Sequence, residues 1–582
     1  MSTMTPSWLL RVGLATAAAL AGTACARPAP ADLVLRNGKL VTMDSVRPEA
    51  QAIAITGSTI TAVGSNRQIG RHVGPNTEVI DLAGRLAVPG FIEGHGHFMG
   101  LGESKMVLDL TRAASWDDLV AMVAEAARGA PRGEWIRGRG WHQEKWSSMP
   151  EPVVDGVPVH ASLSRVSPNN PVYLTHASGH AAFVNARALQ VAGITRATRN
   201  PPGGEIVRDA NGNPTGLLRE TAQRLVGRVM SEARARRTGE QIEAEMREQV
   251  RLAGEDALSK GVTSFQDAGS SFELIDFFKT LEAEGALPVR LYVMVRRASN
   301  EEMAARLAQY RMVAEGNDFL TVRSIKRQID GALGSHGAWL LEPYADMPTS
   351  TGLVLESVED ITRTAELAIE HGFQVNTHAI GDRGNREVLE LYAKVFAANP
   401  DQRDLRWRIE HAQHLHPDDI KRFAELGVIA SMQGVHATSD GPWVPKRLGD
   451  DRSKTGGYVW RSLLDAGAVV TNGTDVPVED VNPIASFYAS VSRITSEGKA
   501  FYPEQRMTRE EALRSYTLAA AYAAFEEGIK GSLSPGKLAD IVVLSKDIMT
   551  IPESEIPSTQ VVYTIVGGEV AFRRAMTDDD RR

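Results

Sequence analysis

Eight short apolar runs separated by helical patterns constrain this 582-residue chain more than any other feature. The runs are "PGFIEGH", "GVTSFQDAG", "LPVRLYVMV", "RSIKRQIDG", "FQVNTHAIG", "RWRIEHAQ", "GVIASMQ" and "VVTNGTD", and helix-period segments such as Val358 to His371 lie between them. Strands that alternate with helices pair in parallel, and eight such units predict a (β/α)8 TIM barrel of the α/β class. An open Rossmann-like sheet is the weaker alternative. The chain holds no Walker A loop, no strand-linked G-x-G-x-x-G and no G-x-S-x-G elbow.

The flanks read differently. From Leu33 to Val88, "LVLRNGKLVTMD", "AIAITGSTITAVG" and "TEVIDLAGRLAV" are β-rich runs broken by turn residues, with Asn37-Gly38 and Gly57-Ser58 as hairpin signals. At the far end, "GSLSPGKLADIVVLS" and "VVYTIVGGEVAFR" are again β-rich. The two ends predict one composite β-sandwich, residues 33–89 plus 525–572, beside a barrel formed by 90–97 plus 261–524. Residues 98–260 are too long for one barrel connection and carry strand and helix signals of their own. They predict an inserted α+β domain over the barrel mouth. Within it, "SEARARRTGEQIEAEMREQVRLAGEDALSK" reads as a solvated amphipathic helix. The closing "RAMTDDDRR" is a charged tail.

A formal net charge of −8 offers no basic surface for nucleic acid. Residues 1–26 read as a signal peptide, because Arg11 precedes an Ala/Leu/Val-rich run from Val12 to Ala24 that is too short to cross a bilayer as a helix. The single cysteine, Cys25, ends that run in "LAGTAC", which resembles a lipobox with Gly22 where Leu is usual. Lipid attachment after a signal of residues 1–24, giving a membrane anchor, and ordinary cleavage after Ala26 are the two outcomes. Either predicts export from a bacterial cytoplasm, to the periplasm or as a membrane-anchored lipoprotein.

In "AVPGFIEGHGHFMG", His95 and His97 stand one glycine apart at a strand end. Alternate residues of an extended chain point the same way, so both imidazoles reach one point, as metal ligands must. Two solvated histidines at a polar strand end are the plainer alternative. Lys326, His378, His411 and Asp475 fall at the C-terminal ends of other candidate strands, the face on which barrels of this type build their sites.

These residues sit in "PGFIEGHGHF", "GGEIVRDANGNPTGLL", "IKRQIDGALGS", "GFQVNTHAIGDRGN", "RIEHAQ", "NGTDVPVEDVNP" and "GSLSPGKLADIVVLS". Together the motifs resemble the amidohydrolase superfamily, specifically the amidohydrolase family 3 branch with N-substituted formamide deformylase-like enzymes. The resemblance implies a distorted (β/α)8 barrel that holds one or two divalent metal ions, usually zinc, and hydrolyses amide-like bonds. It matches His95 and His97 to the first-strand ligands, and His378 and His411 to those of the fifth and sixth strands. Lys326 matches the lysine that is carbamylated in binuclear members. Its carbamate would offer two anionic oxygens to cations about 3.5–4 Å apart, where a free ammonium would repel them. Asp475 matches the catalytic aspartate, a metal ligand that shuttles a proton from metal-activated hydroxide chemistry to the leaving amine. The plainer alternatives are a rim lysine paired with Asp330, and a structural Asp475 capping the turn after its strand.

Trp141 in "GRGWHQEKW", His180 in "SGHAAFVN", His436 in "SMQGVHATSD" and His336 are the substrate-binding candidates, with structural packing as the alternative. His336 stands where the family commonly has Arg after "LGS". His72, His160, His371, His414 and His416 read as surface or helix histidines. The expected function is an exported metal-dependent hydrolase of C–N bonds other than peptide bonds, acting on a small-molecule amide or N-acyl amine. A cyclic-amide hydrolase or a deaminase is the enzymatic alternative. A catalytically silent surface lipoprotein that binds a metal or ligand is the alternative of another class.

Overall fold

The computed structural model describes residues 28–575, so the expected signal peptide, Cys25 and the tail from Met576 lie outside the described residues. Eight strands form the barrel in chain order: β1 Phe91–Gly96, β2 Val262–Ser270, β3 Arg290–Val295, β4 Leu320–Gln328, β5 Gln374–Ala379, β6 Arg408–His411, β7 Ile429–Gln433 and β8 Val470–Gly473. Successive strands pair in parallel from β1 to β8. The seam between β8 and β1 closes just past the strand ends, where Asp475 N–H donates to His95 O at 2.8 Å and His97 N–H donates to Val476 O at 2.7 Å. Strands β3 and β5 to β8 are buried at every position, because helices cover one face and the packed barrel interior the other. That explains why these runs lack the alternation of half-exposed strands.

Strands from both chain ends share one sheet of a sandwich. One sheet runs Glu569–Arg573, Val561–Val566, Ile541–Leu544, Leu86–Pro89, Lys39–Val41, Glu49–Ala50, and the other runs Thr59–Gly64, Ala52–Thr56, Leu33–Arg36, Glu78–Asp81. Strand periodicity splits the duties of Ile541–Leu544. Ile541 and Val543 enter the sandwich core with Leu35, Leu40 and Ile53, while Val542 and Leu544 pack into the barrel core. Gly57-Ser58 is a hairpin turn as expected, joining paired strands. Asn37-Gly38 is not. Asn37 adopts φ 58° and its Nδ2 donates to Asp81 at 2.7 Å, which carries the chain from one sheet to the facing one. Leu35 before the turn and Leu40 after it enter the same core from opposite sheets, which a hairpin within one sheet would prevent.

The segment 98–260 carries a six-stranded sheet of its own, ordered Gly204–Arg208, Pro214–Glu220, Ala181–Val184, Val172–His176, Ile136–Trp141, Leu108–Asp109. Helix Trp116–Gly129, capped by Ser115, buries Trp116, Leu119 and Val123 in this sheet's core. The two edges of the segment behave differently. Helix Phe98–Ser104 places Phe98 and Leu101 in the barrel core, and helix Gly239–Ser259 adds Val250, Ala253 and Ala257 to it. The charged run therefore ends in a barrel helix whose outer face carries ion pairs such as Arg247 with Glu284 at 2.7 Å.

Sandwich and barrel are joined by a buried charge pair. Arg290, first in β3, donates from Nε to Asp540 Oδ2 at 2.8 Å and from Nη2 to Oδ1 at 3.1 Å, with both side chains nearly inaccessible. Removing one member of such a pair strands the other charge in the interior. Asp540→Asn should cost about 3–5 kcal/mol, read as a lowered urea midpoint, and Arg290→Met with Asp540→Leu together should recover much of the loss.

Candidate metal centre and pocket

The C-terminal rim of the barrel gathers His95 from β1, His97 just beyond it, Lys326 from β4, His378 from β5, His411 from β6 and Asp475 two residues past β8. His97 Nε2 lies 3.2 Å and His95 Nε2 3.5 Å from Asp475 Oδ1. Lys326 Nζ stands 3.4 Å from His95 Nε2. The His411 ring centre is 4.6 Å from that of His95 and 4.4 Å from that of His378. The structure thus brings all six residues together. Gly94 permits the approach, since a side chain there would collide with Asn472 O of β8.

The partners of each ring nitrogen fix where the hydrogens of this cluster sit. His95 Nδ1 is bonded to Glu410, and a carboxylate only accepts, so the ring hydrogen sits on Nδ1 and the lone pair on Nε2. His411 is set the same way by Gln433 Oε1, 2.8 Å from its Nδ1. His378 Nε2 faces Asp330 Oδ1 at 3.5 Å. Asp330 itself accepts from the N–H groups of Trp339, Ile380 and Gly381, so it does not pair with Lys326. The lone pair of His95 therefore points at a carboxylate, and the buried Asp475 Oδ1 accepts no hydrogen bond among the described residues. His95, His97 and Asp475 offer three ligand atoms within 4.8 Å of one another. Converging lone pairs repel unless a cation lies among them, and this nitrogen and oxygen donor set fits a divalent metal. His378 and His411 stand beside this trio, and Lys326 closes the same rim.

Burial pushes His97, His378 and His411 below the ordinary imidazole range, which keeps them neutral as metal ligands must be. Burial also lowers Lys326 to about 8, against the pull of Glu410. In Glu410 burial works upward, but His95, Lys326 and Arg408 outweigh it and hold the carboxyl at about 2. The backbone is strained at the same places. His411, Ala412 and Asp475 have φ of 76°, 43° and 55°, a left-handed region that costs about 1–3 kcal/mol per non-glycine residue.

The amidohydrolase family profile matches residues 78–572. The chain is 35% identical to the Protein LONG AFTER FAR-RED 3 of Arabidopsis thaliana over 93% of this chain and 92% of the relative. It is 27% identical to the N-substituted formamide deformylase of Arthrobacter pascens over 93% of this chain and 98% of the relative. The crystal structure of an uncharacterized metal-dependent hydrolase from Pyrococcus horikoshii superposes with a TM-score of 0.70 at 25% identity, covering 90% of this chain and 99% of that one. The chain belongs to the amidohydrolase family.

In this amidohydrolase the centre opens into a pocket shared by barrel and insert, walled by Leu333, Ile380 and Trp443 and by the polar His142, Gln413 and Asp440. Two of the expected substrate contacts line it. His180 stands 5.2 Å from His378, ring to ring, with Nδ1 2.8 Å from Glu220 Oε2. Glu220 is itself strained at φ 49° and fits a gap in which a side chain on Gly331 or Gly337 would collide with it. His436 lies on the helix Gly434–Asp440 that follows β7. Trp141 and His336 do not reach the pocket. Trp141 is 1% exposed, donates from Nε1 to Leu174 O at 2.9 Å and belongs to the insert's core, while the next residue, His142, turns to the pocket instead. His336 Nε2 is 3.1 Å from Asp346 Oδ1, and its ring rests on Tyr344. Both residues border a smaller cavity between the insert and the loop after β4. His414, expected at a surface or on a helix, is 2% exposed and packs edge-on to Tyr458.

Sequence reasoning missed Glu410, Gln433, Glu220, Gln413 and Asp440. Glu410 had a signal in its place beside His411 within "RIEHAQ". Because Glu410 sets the tautomer of His95, Glu410→Gln should weaken metal affinity about 10–100-fold, measured by chelator competition, with the fold intact by circular dichroism.

Proposed function

We propose that this amidohydrolase uses a zinc centre to hydrolyse the C–N bond of small amides or N-acyl amines. One observation carries the reading: a buried Asp475 oxygen with no hydrogen-bond partner among the described residues stands between two histidine nitrogens on the rim, beside a buried lysine. Similarity to an N-substituted formamide deformylase supports the amide class. We further infer export from a bacterial cytoplasm, supported by the Val12–Ala24 run with Cys25 at its end.

His95, His97 and Asp475 would hold a divalent ion, which would supply Lewis-acid polarisation and lower the pKa of a water. Asp475 takes the proton released as the water oxygen bonds to the carbonyl carbon, then gives it to the amine nitrogen as the C–N bond breaks. The insert and the loops after β4 and β7 wall the pocket beside these residues, where they would limit bulk water around the reacting carbonyl. Lys326, lowered to about 8, has a larger neutral fraction than an ordinary lysine. The neutral amine adds to carbon dioxide with loss of one proton, and the resulting carbamate would join His378 and His411 around a second ion.

Asp475→Asn should fold and retain metal on the histidines but lose about 10²–10⁴-fold in kcat, measured with zinc-loaded enzyme on N-substituted formamides, N-acetyl amines and N-acyl amino acids. Near wild-type turnover in that variant would falsify the proton-shuttle assignment. Lys326→Ala should reduce the bound zinc from two ions to one by elemental analysis, and a single ion in both proteins would reject the binuclear centre. Ammonia release from heteroaromatic amines without amide hydrolysis would move the assignment to a deaminase.

A further inference from the structure

Around His436 every hydrogen can be assigned from the type of its neighbour. Tyr458 Oη lies 2.6 Å from Asp440 Oδ2, and an ionised carboxylate only accepts, so the hydroxyl hydrogen is spent there. The tyrosine oxygen has only lone pairs left for Gln413, so the glutamine atom 2.6 Å away is the amide nitrogen, which also lies 3.4 Å from Asp440 Oδ2. The same nitrogen faces His436 Nδ1 at 3.5 Å, which makes Nδ1 the acceptor and puts the ring hydrogen on Nε2. That N–H is buried and meets no partner among the described residues. Buried donors are nearly always satisfied, so an unsatisfied one beside a pocket calls for an acceptor from the ligand. The His436 ring lies parallel to that of the rim ligand His411, at 8° and 6.4 Å between centres, so its N–H borders the space of the metal centre.

We propose that His436 is a further catalytic residue, donating from Nε2 to the carbonyl oxygen of the amide as that oxygen becomes negative. The role rests on the hydrolase reading above. An amide presents one strong acceptor, its carbonyl oxygen, because the nitrogen lone pair is delocalised. As the water oxygen bonds to the carbonyl carbon, the π pair moves onto that oxygen, and a fixed N–H gains most at that moment. On collapse the pair returns, the C–N bond breaks and the amine leaves with the proton carried by Asp475. Gln413 is a positioning residue, acting through the tautomer of His436.

The test uses the full, zinc-loaded protein and the N-substituted formamide or N-acyl amine that the wild type turns over fastest. His436→Phe keeps a ring and loses the donor, so kcat should fall about 10²–10³-fold while KM stays within about threefold. His436→Gln, which retains a donor, should recover part of the loss. Independently, long-range ¹H–¹⁵N spectra of histidine-labelled protein should show His436 as the Nε2–H tautomer. Gln413→Glu, which faces Nδ1 with an acceptor, should switch it to Nδ1–H and lower kcat. Undiminished kcat in His436→Phe, or an Nδ1–H tautomer in the wild type, would overturn the proposal alone. A wild type that turns over no amide would instead overturn the hydrolase reading, and this role with it.

Discussion

The convergence of His95 Nε2, His97 Nε2 and Asp475 Oδ1 is the constraint on which the rest of the structure depends. Three electron-rich atoms are held together by a seam that joins the first barrel strand to the last, and backbone bonds between His95, His97, Asp475 and Val476 close that seam. Asp475 must adopt a left-handed backbone to turn its carboxylate inward. Such strain persists only where the surroundings over-determine it. Here the seam supplies that rigidity, and the Arg290–Asp540 pair ties the barrel base to a sandwich woven from both chain ends.

The insert contributes chemistry as well as cover. Its strand Pro214–Glu220 ends in a buried carboxylate that fits against Gly331 and Gly337 of the loop after β4 and holds His180 against the pocket. Arg447 extends the same junction, bonding Glu144 of the insert at 2.9 Å and also Asp346 of the loop after β4. Insert and barrel therefore share one pocket wall, and a change of substrate is expected to map to this junction rather than to the metal ligands.

Much of the architecture was legible in the sequence because the signals are local. Eight runs read as strands from their own residues, and the rim residues stand at the ends of those runs. Partners were not legible. Glu410 sits 315 residues from His95, and nothing short of barrel closure reveals that they bond. Gln433 and Glu220 are hidden for the same reason, since each orients a histidine that lies outside its own strand. Asn37-Gly38 misled because a turn dipeptide reports a change of direction and not whether the strands it joins are in one sheet. Trp141 misled by one place: neighbouring residues at a strand end face opposite ways, so Trp141 fills the insert's core and His142 faces the pocket.

The histidines of the pocket show why these unread partners decide the chemistry. An imidazole has one hydrogen to place when neutral, and the group bonded to one nitrogen determines what the other presents. A carboxylate at His95 and an amide oxygen at His411 both accept, so each ring turns a lone pair toward the centre. An amide nitrogen at His436 donates, so that ring turns a hydrogen toward the same space. Residue type alone would assign all three the same role. The difference between holding a cation and stabilising an anion rests on whether the neighbouring glutamine presents its oxygen, as Gln433 does, or its nitrogen, as Gln413 does.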